Sequence, residues 1–199
     1  MVKIIVAAGR RGSLLFLGLV AACGTARRGA EGGDTASPSA IAKVPYERLL
    51  VLEAWGATPD DTTIAFLPGE VRSVVIRHGP PDNTVFTEAH FGAQTFAAVP
   101  VDSVRLRFVV SPGRYGLTIE SNSPVGPGAE ITFKYPMHFA ASAQARERYG
   151  SPAAYERALT VVRLEADSQY RLLDARRPTT DNLLVTIPDT GTYLVAAPK

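Results

Sequence analysis

Few side chains in this sequence could act on another molecule, and their spacing matters more than their number. The three histidines are His78, His90 and His138. No two have the close spacing with which a helix or a hairpin presents metal ligands, and no second cysteine is available to complete a site. Satisfied or solvated histidines are the expectation, with no metal and no cofactor. Asp60-Asp61 and Asp82-Asn83 offer adjacent oxygen donors, but the regular alternation of a calcium loop is missing around them. Turn formation, in which such side chains bond the local backbone, accounts for both pairs. A Gly-x-Ser-x-Gly elbow is absent, and the glycine-rich stretches lack the strand, loop and helix of a phosphate cradle. No residue is assigned a catalytic role.

Ligand binding has four candidates. Trp55, the only tryptophan, could stack on a sugar, although anchoring the edge of a core is the plainer use of an indole. Arg105 and Arg107, together with Arg72 and Arg77, could form a basic face for an acidic glycan or a lipid headgroup; a solvated sheet face is the plainer outcome. His138 follows Pro136-Met137 and completes the set. A site assembled from loops around Trp55, Asp60, Asp61, Asp82 and His138 would suit an envelope hydrolase or a carbohydrate-processing accessory. That is the alternative to a non-catalytic binding or structural module.

The most specific chemistry lies at the N-terminus. Lys3, Arg10 and Arg11 form a basic region, and Leu14 to Val20 is a short apolar run that is too brief for a comfortable permanent span. Val20-Ala21-Ala22-Cys23 resembles the lipobox of bacterial lipoproteins. The resemblance implies cleavage before Cys23 and diacylglycerol on its thiol, and Cys23 is the chain's only cysteine. Two acyl chains make anchoring stable where one holds only marginally. Arg10-Arg11 also resembles a twin-arginine export signal, but Ser13 departs from that pattern. Gly24, where an aspartate would retain a lipoprotein in the inner membrane, implies the outer membrane.

These features divide the chain into a signal peptide over 1–22, a tether over 23–42 and a domain over 43–199. The chain has 21 Lys+Arg and 19 Asp+Glu, for a formal charge of +2. Three of those cations and no acids fall in the signal, so the mature chain holds 18 against 19, a charge of −1. That balance gives no reason to expect a nucleic-acid partner. The expected partners are the membrane, through the anchor, and an envelope protein or glycan. Residues 24–42 are small and polar without aromatics, as in a flexible linker with a reach of about 25 Å.

The elements that must position any site are read from period-two patterning. Val104, Leu106, Phe108 and Val110 alternate with Arg105 and Arg107, and Tyr115, Leu117 and Ile119 alternate in the same way. Further strands are expected over 48–54, 71–77, 84–91, 130–135, 159–164, 169–173, 182–187 and 192–197. Within 84–91, Val85, Thr87 and Ala89 would share one face and Phe86, Glu88 and His90 the other. The last two strands, joined by Pro188-Asp189-Thr190-Gly191, read as a hairpin closing the sheet. Residues 140–157 interrupt the pattern with a helix near 142–149 and a helical turn from Pro152, capped by Ser151. The result is a mainly β chain: an antiparallel β-sandwich with a short helical insert near 140–157.

Tyr115-Gly116-Leu117, the Val125-Gly126-Pro127-Gly128 loop, Ile131-Thr132-Phe133-Lys134-Tyr135 and Gly191-Thr192-Tyr193-Leu194-Val195 are weakly similar to segments of ZU5-like β-sandwich domains. The usual Ile-Pro-x-Gly-Ala entry is blurred into Phe91-Gly92-Ala93, and the helical insert has no counterpart in that family. The resemblance implies a structural or protein-interaction module without catalysis. The chain is thus expected to be a lipid-anchored module of the bacterial cell envelope.

Overall fold

The alternation at 104–110 is realised as a strand: its four apolar residues are buried, while Arg105 and Arg107 face solvent. Burying one such side chain stabilises the fold by about 1.5–3 kcal/mol, and the same pattern recurs along most of the strands. The computed structural model describes residues 43–97 and 100–199. Residues 1–42, where a signal peptide, a tether and the lipidation of Cys23 are expected, lie outside the described residues.

The strands in chain order are β1 (Lys43–Val44), β2 (Leu49–Val51), β3 (Thr62–Phe66), β4 (Arg72–Arg77), β5 (Val85–Phe91), β6 (Val104–Val110), β7 (Gly116–Ser121), β8 (Ala129–Lys134), β9 (Thr160–Leu164), β10 (Tyr170–Leu172), β11 (Asn182–Thr186) and β12 (Gly191–Pro198). Between β8 and β9 lie a 3-10 turn, Pro136–His138, and two helices, α1 (Ala143–Tyr149) and α2 (Pro152–Ala158). One sheet runs β1-β10-β9-β12-β7-β6-β3, with β2 also paired to β12; the other runs β11-β8-β5-β4. Every strand pair is antiparallel. The fold is therefore the expected sandwich with a helical insert. Ser142 and Ser151 cap the two helices by accepting from Ala145 N–H and Ala154 N–H.

The core lies between the sheets. Val74, Ile76, Ala89, Phe91, Ile131, Phe133, Leu183 and Val185 of the smaller sheet meet Val104, Leu106, Phe108, Leu117, Ile119, Tyr193 and Val195 of the larger. Where β7 pairs with β12, with Gly116 opposite Leu194, a side chain is excluded: a Cβ on Gly116 would lie 2.3 Å from Leu194 Cδ2 and 2.7 Å from the Tyr193 carbonyl oxygen. Only glycine lets the strands approach so closely there.

Three features differ from the sequence expectation. First, β11 and β12 are not a hairpin; β11 pairs with β8, while β12 pairs with β7, β9 and β2 in the other sheet. The short turn between them carries the chain from one layer to the other. Second, β1 and β3 are absent from the expected strands, because β1 has only two residues and in β3 Phe66 alone of five is fully buried. Third, Phe86 is buried rather than facing out with His90. Ile76 pairs with Thr87 and Arg77 with Val85, so Phe86 is the extra residue of a β-bulge and the alternation slips there.

Candidate functional site

The bulge sets up the most chemically distinctive corner of the molecule. Phe86 turned inward stacks on Tyr115 with ring centroids 5.1 Å apart, and its ring meets His78 edge-on at 5.3 Å. His78 follows the last residue of β4 and is 2% exposed. The β4–β5 loop then runs Gly79-Pro80-Pro81-Asp82-Asn83-Thr84, with a cis Pro80-Pro81 bond, Asn83 at φ 55°, and closure by His78 N–H donating to the Thr84 carbonyl at 2.9 Å. Asparagine tolerates this left-handed conformation better than most residues. Thr84 N–H donates to Asp82 Oδ1 at 3.4 Å, which holds the carboxylate in place from within the loop.

His138 arrives from the far side. It ends the 3-10 turn after β8, and its ring lies 4.3 Å from that of His78, centroid to centroid. The third wall is the connection after β2. Gly56 has φ +89°, a conformation that suits glycine, and its Cα faces the His138 imidazole closely enough that a Cβ would sit 3.5 Å from Cε1. Beside it, the Ala57 carbonyl reaches His78 Nδ1 at 3.2 Å.

Hydrogen-bond chemistry fixes the tautomer of His78. A carbonyl can only accept, so Nδ1 carries the proton and Nε2 presents a lone pair toward the Tyr115 hydroxyl, 3.4 Å away. Burial lowers the pKa of His78 most, and the positive field of His138 lowers it further. The Ala57 carbonyl and Asp82 pull the other way without cancelling this. The ring is neutral near pH 7. Nε2 of His138 lies 2.5 Å from Asp82 Oδ2 and 3.3 Å from Thr84 Oγ1. Asp82 is disfavoured as an anion by burial, but bonds from Thr84 and His138 outweigh that and hold its carboxyl below the usual range. His78, Asp82 and His138 each offer one ligand atom, and these atoms all lie within 4.8 Å of one another.

The other expected candidates are scattered. Trp55 is 55% exposed, more an open surface than a core anchor, in the same connection as Gly56. Asp61 is committed to the sheet: Oδ1 accepts from Val110 N–H at 3.2 Å and Oδ2 pairs with Arg107 at 3.1 Å. Arg107 also reaches Glu120 at 3.4 Å. Arg105 is exposed on the same strand, whereas Arg72 and Arg77 lie on β4 of the opposite sheet, so the four arginines do not share a face. Arg72 is paired with Glu70, and Arg77 donates to the Asn83 carbonyl. His90 is exposed on β5, across from Ser73, whose Oγ lies 3.1 Å from its Nδ1.

Sequence reasoning singled out His138 and Asp82 but set His78 aside. The available signal was a histidine at one foot of a Gly-Pro-Pro-Asp-Asn loop with an acid at its tip. Fifty-six residues separate Asp82 from His138, so no local spacing could join them. No family model, curated protein or solved structure matches the chain.

Proposed function

We propose that this protein is a lipid-anchored, non-catalytic module of the bacterial cell envelope, held on the outer membrane through Cys23 and binding an envelope protein or a glycan. The observation that carries this is Val20-Ala21-Ala22-Cys23, placed directly after a basic region and a short apolar run and ahead of a small, polar stretch. The weak similarity to ZU5-like sandwiches supports an interaction module. Trp55, exposed on a connection between strands, is a suitable contact for a glycan or protein partner. No helix among the described residues is long and apolar enough to cross a membrane. An acylated Cys23 would supply attachment without one.

A second reading, an envelope hydrolase, is favoured by a histidine beside both a hydroxyl and a carboxylate. The geometry suits it less well. In a nucleophile relay the carboxylate orients one ring nitrogen while the other takes the hydroxyl proton. Here Asp82 and Thr84 converge on the same atom, Nε2 of His138.

The anchor is tested by labelling cells with a radioactive fatty acid and fractionating them. The wild-type chain should take up label and sediment with membranes, and Cys23→Ser should do neither. Absence of label on the wild type, or membrane retention of Cys23→Ser, overturns the anchor.

A further inference from the structure

We propose that His78, Asp82 and His138 form a binding site for a divalent transition metal of the zinc class. Two imidazole nitrogens and one carboxylate oxygen are the donor set that such ions take when they keep a position open for water or another ligand. Calcium and magnesium prefer oxygen donors alone, so the two histidines argue against them.

The donors are already gathered. Ligand atoms within 4.8 Å of one another need to close only modestly, because a tetrahedral ion with bonds of about 2.0–2.2 Å keeps its donors about 3.3–3.6 Å apart. His138 Nε2 and Asp82 Oδ2 would separate slightly from 2.5 Å as the ion replaces the proton between them, which leaves to solvent. His78 needs no deprotonation: its Nε2 lone pair is free of any proton because Nδ1–H is spent on the Ala57 carbonyl.

The supports behind the ligands have the character of a metal site. A ligating histidine usually donates its second N–H to a carbonyl, as His78 does to Ala57. A ligating carboxylate is usually held by another donor, as Asp82 Oδ1 is by Thr84 N–H, leaving Oδ2 for the ion. Access is also present, since the side chains of His138 and Asp82 retain 17% and 23% of their exposure while His78 forms the buried floor. The Thr84 hydroxyl lies 3.3 Å from His138 Nε2 and the Tyr115 hydroxyl 3.4 Å from His78 Nε2, beside the two imidazole donors. This site does not depend on the anchor or on the binding role proposed above.

The test is equilibrium dialysis of the full chain, purified in detergent, against Zn²⁺, with Co²⁺ as a spectroscopic probe. One equivalent should bind the wild type, with Co²⁺ giving visible absorption of a four-coordinate site. Asp82→Asn and His138→Ala should each weaken binding at least tenfold, while His90→Ala and Cys23→Ser bind as the wild type does. Thermal unfolding in chelator establishes that each variant is folded. Should His138→Ala fail to fold, the near-isosteric Asp82→Asn decides. No stoichiometric ion on the wild type, wild-type affinity in Asp82→Asn, or loss of the ion in His90→Ala would each overturn the site.

Discussion

The interior between the sheets and the loop corner around His78 share a wall, yet they are built on opposite principles. The interior is filled by aromatic and branched side chains from both layers, Phe91, Phe108, Phe133 and Ile131 among them. Each is specified by its place in a period of two. The corner is made of residues that no period specifies: His78, Asp82 and Thr84 from one loop, Gly56 and Ala57 from a second, and His138 from a short turn. Phe86 belongs to both, stacked on Tyr115 and edge-on to His78. The difference teaches that this sandwich supplies rigidity with one set of residues and chemical capacity with another. The two should respond differently to mutation and to pH.

Mutation of the interior gives the largest expected effect. Phe133 is wholly buried on β8, between Thr87 of β5 and Leu183 of β11 in register, and its ring meets Phe86 edge-on at 6.2 Å. Phe133→Ala should cost about 3–5 kcal/mol in denaturant unfolding, since the lost contacts and the cavity add. A cost comparable to that of a surface substitution would show that the interior is not the source of stability.

A titration separates the regions more sharply. Burial pushes the Tyr193 hydroxyl up to about 12, against the opposing pull of Arg163 and its bond to the Asp189 carbonyl. Burial likewise raises Tyr115 and Tyr155. A raised folded pKa means the native state holds its proton after the unfolded chain has lost it. The contribution is complete below about pH 10 and is lost as pH rises toward 12, by about 2–3 kcal/mol for Tyr193. Tyr193→Phe should flatten part of that alkaline loss of Tm. At the corner the sign reverses. His78 has a lowered pKa from burial, so below about pH 6.5 the unfolded chain binds a proton that the native state refuses. In chelator-treated protein, Tm should fall as pH drops from 6.5, and His78→Gln should remove that slope. If both branches of the pH curve change with either variant, the two regions are not separable.

The same division governs what could be read in advance. Strand β6 and the faces of β7 and β8 followed from alternation because one sheet face is wet, and the start of α2 followed from Ser151 as its cap. What failed was pairing. Pro188-Asp189-Thr190-Gly191 has the composition of a hairpin turn, and nothing local distinguishes folding back in one sheet from crossing to the other. The bulge at Phe86 hid for a related reason: the sequence around it alternates acceptably, and only the partner strand shows the extra residue. The site was the least legible, since its histidines come from connections whose meeting depends on the packing of both sheets.

The smallest expected effect concerns polar residues that belong to neither region. Arg107 bridges Asp61 and Glu120 with its side chain about half exposed, so Arg107→Ala should change stability by no more than about 1 kcal/mol. Asp61 has a second role that the arginine lacks. It precedes β3, and its Oδ1 accepts the N–H of Val110 at the end of β6, extending the β3–β6 ladder by one bond where the backbone pairing of β3 has ended at Thr62. Asp61→Ala should therefore cost more, about 1–3 kcal/mol, because it removes a charge-assisted bond to a partly buried N–H. A double-mutant cycle isolates the ion pair itself, whose coupling should be about 0.2–1 kcal/mol and should shrink in high salt. Equal costs for the two single variants would mean that Asp61 acts only through Arg107, and that the carboxylate contributes nothing to the strand end.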